Sequence, residues 1–341
     1  MEIRPGDSAR AKRPSVPAWF GQTFNNYAPA AAAAAVGILL TIVAVQFVDE
    51  RQRISARHEF DSQAEHHLAV VSKAIDRSVS VVNAAAGFFS GSRPADRWTL
   101  YEFVEEVRPL HPGLRSLQWL PRVPGDQRDR YESRAERVDG LVGFRIVERD
   151  SQWQRVPVAP RDEYFPVYYV EPFAGNEDVL GEDMFAYPAY RTVMEAARDS
   201  GKMGATLHRA IETPTGPQVG LLLFQPVFRN AQPTETVAQR REALVGFVTG
   251  MFLVGNLIDA ALREYTTPAW IDIYVVDAGK GAAEGIDAPY VVYYGAAALG
   301  GGADRPVRIE PEPDQLVSRV NRQIADRNWT ISARSVTKTE G

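Results

Sequence analysis

The chain has 341 residues, no cysteine, 45% hydrophobic and 24% charged residues, and a net charge of −5. That length allows one large domain or two smaller ones with additions. The values exclude a disordered chain, a disulfide framework, thiolate metal sites, a cysteine nucleophile and a strongly basic nucleic-acid surface.

Residues 1–26 are polar, carry Pro5, Pro14 and Pro17, and read as a disordered cytoplasmic tail. From Tyr27 to Val48 there is no charged residue. A helix of about 20 such residues crosses about 30 Å of hydrocarbon, so 27–48 is predicted to span a membrane. The run exceeds the roughly 7–15 residues of a signal-peptide core, which favours an uncleaved anchor. Pro29 is expected in the first helical turn, where a missing N–H costs little. Arg4, Arg10, Lys12 and Arg13 precede the span and Arg51, Arg53 and Arg57 follow it, a small asymmetry that favours a cytoplasmic N-terminus.

A stalk helix is predicted over 49–92. Leu68, Val71, Ile75, Val79, Val82, Ala86 and Phe89 recur at three- and four-residue spacing. This stripe either packs on its own domain or pairs with a second copy in a homodimer; both readings stand at this point. His58, His66 and His67 share this helix, and the eight-position step from His58 to His66 gives the one metal-like spacing. They read instead as solvated stalk histidines.

A second helix is predicted over 95–108, with Asp96 as its cap. Strands are expected at 114–120, 143–148, 166–170, 203–208, 219–228 and 243–254, with a helix from Ala189 to Ser200 between the third and fourth. A helix follows Gly255, and further strands are expected near 270–277, 289–294, 305–310 and 328–335. The polar stretch 229–242 marks a boundary between a membrane-distal subdomain, 93–230, and a membrane-proximal one, 231–341. Strands in clusters with helices between them predict an α+β fold. No nucleophile elbow, phosphate loop or zinc-protease motif occurs, and nothing calls for a catalytic residue, a metal or a cofactor.

Six segments share a distinctive order: SLQWLPRV at 116–123, RDEYFPVYYVEP at 161–172, LGEDM at 180–184, AARDSGK at 196–202, LFQPVF at 223–228 and GFVTGMF at 246–252. In order and spacing this resembles the CHASE family, extracytoplasmic sensory domains of receptor-like histidine kinases and nucleotide cyclases. The resemblance implies one transmembrane helix continuing into a long stalk helix, then two PAS-like subdomains with antiparallel sheets, the distal one holding a ligand pocket. By position, Phe144, Tyr164, Tyr168, Met184, Thr206 and Leu222 match pocket-lining or pocket-edge residues. Plant members that resemble the chain across DEY-x-PV bind cytokinins and place an acidic residue where Pro172 stands here. Glu171 is adjacent, is the seventh candidate, and is expected on the other face of an extended segment.

The resulting expectation is a single-pass inner-membrane sensor with its large domain outside the cytoplasm. It would bind a small-molecule signal of open identity, contact the bilayer, form a homodimer through the stalk and bind no nucleic acid. Any kinase or cyclase output would lie beyond Gly341. A periplasmic docking module without a small ligand, or a periplasmic hydrolase, are the alternatives.

Overall fold

The computed structural model describes residues 18–91, 96–211, 213, 216–263, 265, 268, 270–278, 290–296, 310–313 and 315–336. The chain divides into two units, Met1–Glu59 and Phe60–Gly341.

The first unit contributes the start of helix α1, which spans Ala18–Phe89. The helix begins before Tyr27, so Pro29 lies inside it and not in its first turn. Between Pro29 and Glu59 every side chain is exposed. Val36, Ile38, Leu39, Leu40, Ile42, Val43, Val45, Phe47 and Val48 form one bare apolar surface. It is long and apolar enough to cross a membrane. Thr41 Oγ1, its inner polar atom, donates to Gly37 O at 2.9 Å, which satisfies the hydroxyl within the helix. Just past the apolar run, the Arg51 guanidinium lies 4.8 Å from the Phe47 ring centroid. Asp49 pairs with Arg53 at 3.1 Å one turn along.

The second unit contains the rest of α1 and all the strands. In chain order follow α2 (Arg97–Val107), β1 (Leu114–Pro121), β2 (Val123–Pro124), α3 (Arg128–Arg137), β3 (Val147–Arg149), β4 (Arg155–Pro157), β5 (Glu163–Tyr164) and β6 (Tyr169–Glu171). Then come α4 (Pro188–Ser200), β7 (Gly204–Ile211), β8 (Gln218–Phe228), α5 (Val237–Ala243), β9 (Leu244–Leu253) and α6 (Val254–Arg263). The last strands are β10 (Ile271–Asp277), β11 (Tyr290–Ala296), β12 (Val317–Ile324) and β13 (Arg327–Ser335). Five strands form an antiparallel sheet in the order β6-β1-β9-β8-β7, and four form a second one, β11-β10-β13-β12. The architecture is α+β, with a long apolar N-terminal helix and antiparallel sheets.

The expected boundary at 231 does not hold in the sheet. Strand β9 lies after it in sequence yet pairs with both β1 and β8 at the centre of the first sheet. Its sequence fits this place: LVGFVTGMFL is mostly apolar and buried on both faces. The polar stretch before it folds into α5, begun by a capping box between Thr236 and Gln239. Arg240 fastens α5 to the end of α4 through Asp199 O at 2.8 Å. The strand expected at 143–148 is only β3, and that expected at 166–170 divides, with β5 before it and β6 at its end. The strand expected at 305–310 falls almost wholly outside the described residues.

The stalk stripe packs on its own domain. Leu68, Val71, Ile75, Val82, Ala86 and Phe89 are buried in the main core, with Val79 packed against it. Phe89 stacks on Trp119 of β1 at 4.3 Å between centroids and 9° between planes. Gly250 of β9 permits this approach, because a Cβ there would lie 2.4 Å from Val82 Cγ2. The stripe is therefore not the surface through which a second copy could pair. Nor is His67 solvated: it is buried, with Nδ1 2.7 Å from Gln63 O, while His66 sets its ring edge-on to Tyr265 at 4.6 Å.

Candidate ligand-binding site

The two faces of the five-stranded sheet follow from strand alternation. Leu117 and Trp119 of β1, Val248 of β9 and Leu223 of β8 point into the core that holds α1. Their neighbours point the other way, and the register aligns them in rows. One row runs Val170, Gln118, Thr249, Phe224, Gly204 across all five strands. The next runs Ser116, Met251, Leu222, Thr206.

This second face has its own roof. Val193, Met194 and Ala197 of α4 join Phe165, Met184, Phe185, Leu222, Phe224 and Phe247 in a separate apolar cluster. Helix α4 can lie close because Gly204 has no Cβ; one would meet Val193 Cγ1 at 2.6 Å. Gly201, in the left-handed region with φ 72°, ends the helix and turns the chain into β7.

The segment between β5 and α4 is pinned from inside by Asp183. Its carboxylate accepts from Phe165 N at 2.8 Å, Phe185 N at 3.2 Å and Arg161 Nη1 at 3.2 Å. Burial pushes this carboxyl above the ordinary range, against the pull of those donors. Arg161 also reaches Glu148 at 2.5 Å, so one guanidinium bridges two carboxylates. At the rim, Arg149 Nε holds Glu182 at 3.0 Å, and the Tyr187 hydroxyl donates to the same carboxylate. The Tyr190 hydroxyl lies 2.9 Å from Nδ1 of His208 on β7, and burial lowers the pKa of that imidazole.

Polar groups on this face are buried within an apolar cluster. Ser116, Gln118, Thr206 and Thr249 are all buried. Gln118 Nε2 donates to Ser116 Oγ at 3.1 Å. Gln118 Oε1 and Thr249 Oγ1, on paired residues of adjacent strands, meet no hydrogen-bond partner among the described residues. Each such buried atom costs about 1–3 kcal/mol. An acceptor and a hydroxyl thus stand side by side in an apolar surround.

Of the seven residues singled out from sequence, the structure places Met184, Thr206 and Leu222 on this face. Phe144, Tyr164 and Tyr168 belong to the main core. Phe144 and Tyr168 meet edge-on at 5.2 Å, and Tyr168 donates to Asp139 at 2.6 Å. The Tyr164 hydroxyl accepts from Arg161 N at 2.9 Å and so serves the loop. Glu171 pairs with Leu117 on the α1 side of the sheet, as alternation from Val170 requires, and binds Arg97 at 3.0 Å. Sequence reasoning passed over Ser116, Gln118, His208 and Thr249. A signal was present: in LRSLQWL, Ser and Gln alternate with Leu and Trp, which marks a strand with a polar buried face. Among the described residues no group of three or more His, Cys, Asp or Glu could hold a metal.

Residues 95–286, which include every strand of the five-stranded sheet, match the family model described as the CHASE domain. The chain belongs to the CHASE family. CHASE domains are sensor domains, and the curated relatives are signalling proteins. A hybrid signal transduction histidine kinase A of Dictyostelium discoideum is 24% identical over 65% of this chain and 11% of its own length. Histidine kinase 2 of Arabidopsis thaliana is 23% identical over 56% of this chain and 16% of its own. The matched part thus spans a small share of either relative. Among solved structures, the periplasmic sensory domain of a Campylobacter jejuni chemoreceptor aligns with 83% of this chain and 95% of its own, at 10% identity and TM-score 0.45. The ligand-binding domain of a Pseudomonas aeruginosa amino-acid chemoreceptor, in complex with GABA, aligns with 82% of this CHASE chain and 100% of its own, at 13% identity and TM-score 0.43.

Proposed function

We propose that this CHASE chain is a single-pass inner-membrane sensor whose extracytoplasmic domain binds a small-molecule signal on the α4-covered face of the five-stranded sheet. The two sheets act as PAS-like subdomains, the five-stranded one distal. The observation that carries the reading is the pair of buried, unpartnered oxygens on Gln118 and Thr249. They recognise a compact molecule with an apolar body and hydrogen-bond donors, bordered by Met184, Thr206 and Leu222. Binding there favours one arrangement of α4 and the segment pinned by Asp183. The response passes to α1, which carries both the apolar stretch and the core stripe. A homodimer would use exposed positions of α1, since the stripe is covered.

The test is a thermal-shift screen of the full chain in detergent against a metabolite library, followed by Thr249→Val and Gln118→Leu. Thr249→Val removes only an unpartnered hydroxyl, whereas Gln118→Leu removes an unpartnered oxygen together with the Ser116 hydrogen bond, so the fold of each variant is checked by its own melting temperature. A hit that raises the melting temperature of the parent, and loses at least about tenfold in affinity in both variants, supports the site. Hits whose shift is unchanged in both variants overturn it.

A further inference from the structure

A cavity of about 940 Å³ lies at the β6 edge of the five-stranded sheet, between α2 and the segment after β6. It does not include Gln118, Thr249 or any residue of α4. Four aromatic side chains wall it: Trp98 and Tyr101 from α2, Tyr169 from β6 and Phe173 beyond it. The α2 pair sits edge-on at 5.7 Å. Trp98 is 70% exposed and Tyr101 40%, although α2 has buried Leu100 and Val104 on its opposite side. A large indole left in the open at the mouth of a cavity is apolar surface that packing has not used.

The charge in this groove is acidic. Its lining holds the carboxylates of Asp96, Glu105, Asp139 and Glu171 against the guanidiniums of Arg97 and Arg108. Two of the carboxylates are neutralised in place, Glu171 by Arg97 at 3.0 Å and Glu105 by Arg108 at 3.3 Å. Asp139 is paired by Arg134 from outside the lining at 3.5 Å, which leaves Asp96 as the lining carboxylate without an arginine among the described residues. Asp96 accepts through Oδ1 from Thr99 at the α2 cap. Asp139 accepts from the Tyr168 hydroxyl at 2.6 Å and has Arg134 at 3.5 Å, in both cases through Oδ2. The Tyr169 hydroxyl is pushed up to about 12, first by burial and then by Asp139 and Asp96, so the negative field reaches the aromatic wall.

The groove already holds one cation in this manner. The Arg97 guanidinium lies 4.6 Å from the Phe173 ring centroid while bonded to Glu171. Aromatic face, cation and carboxylate are thereby combined within one wall, and Trp98 with Tyr101 adds two further exposed rings to the same groove. We propose that this groove is a second ligand site, independent of the sheet-face site, that takes a small organic cation of the quaternary-ammonium type. Aromatic rings attract such a cation through their quadrupole, and a desolvated ammonium gains most from indole. The nearby carboxylates supply charge without needing a hydrogen bond from the ligand.

Calorimetry on the full chain in a maltoside detergent tests this with choline as the probe and 3,3-dimethyl-1-butanol as its neutral isostere. Choline is expected to bind at least about tenfold tighter than the alcohol. Trp98→Ala is expected to weaken choline about tenfold, Trp98→Phe less, and Asp96→Asn with Asp139→Asn several-fold. Trp98 is exposed, so its variants fold. Gln118→Leu leaves choline binding unchanged, which separates this site from the sheet face. Equal affinity for choline and the alcohol overturns the proposal. So does choline binding that survives Trp98→Ala, or that is lost in Gln118→Leu.

Discussion

The two faces of the five-stranded sheet are built from the same strands and serve opposite ends. The α1 face is closed: Trp119 is stacked under Phe89, and Gly250 lets the helix touch the sheet. The α4 face carries Gln118, Ser116, Thr206, His208 and Thr249 among its apolar residues, with two buried oxygens that meet no partner among the described residues. A sheet that only had to be stable would fill both faces with hydrocarbon. The helix side is fully packed, and the other side is the one on which the proposed recognition rests.

The largest test of that contrast is Trp119→Ala. Loss of the stacked indole should destabilise the fold by about 3–5 kcal/mol in denaturant unfolding, with no ligand needed to see it. Next comes Gly250→Ala, which forces Val82 or the sheet to shift. A loss of about 1–3 kcal/mol is expected, and an unchanged midpoint would show that α1 is not held as closely as the contact implies.

A smaller effect is expected where the two sheets meet. Asp326, between β12 and β13, accepts from Ala205 N of β7 at 2.9 Å, one residue from Thr206. Asp326→Ala should cost about 1–2 kcal/mol, and amide exchange at Ala205 should quicken. Because Ala205 adjoins a residue of the recognition face, the variant should also alter the ligand response more than Gly250→Ala does.

Stability should depend mildly on pH, through His208 on the α4 face and His111 after α2. Burial lowers the pKa of His208, and of His111 beside Arg77, below 6.5. The folded chain keeps these rings neutral while the unfolded chain binds protons, so stability is complete above pH 6.5 and declines as pH falls below it. Asp183 works in the opposite sense at lower pH, because its raised pKa lets the folded state take up a proton first. His208→Gln should flatten the neutral-to-acid decline in melting temperature, and an identical profile would remove His208 from the account. The smallest change is Thr249→Val, expected to alter stability by less than about 1 kcal/mol or to raise it, while ligand response falls.

Much of this was legible locally. The uncharged run 27–48, the stalk stripe, the Asp96 cap and most strands follow from periodicities of about 3.6 and 2 and from capping chemistry. The ordered segments from SLQWLPRV to GFVTGMF pointed to the family through positions that now appear on β1, β8 and β9 and around β6 and α4. The site was less legible. Position-by-position carry-over found Met184, Thr206 and Leu222, but it also selected Phe144, Tyr164 and Tyr168, whose aromatic rings pack in the core. Type and order do not state which side of a strand or loop a residue occupies once the segment breaks its regularity, as 143–148 and 166–170 do.

By itself, then, the sequence determined where helices and strands form, because hydrogen bonds within a helix and alternation along a strand depend on near neighbours. It also determined that one segment is long and apolar enough to cross a membrane. Only the tertiary structure decided which partner each surface took. The stripe from Leu68 to Phe89 was equally suited to a second helix or to a sheet, and Gly250, more than 160 positions beyond Val82, opened the space that settled it. Strand β9 was equally suited to a second subdomain, and the need to bury both of its faces drew it between β1 and β8. Hydrophobic burial is non-directional, so the pattern of one segment cannot name what covers it; that depends on the shapes of surfaces distant in sequence.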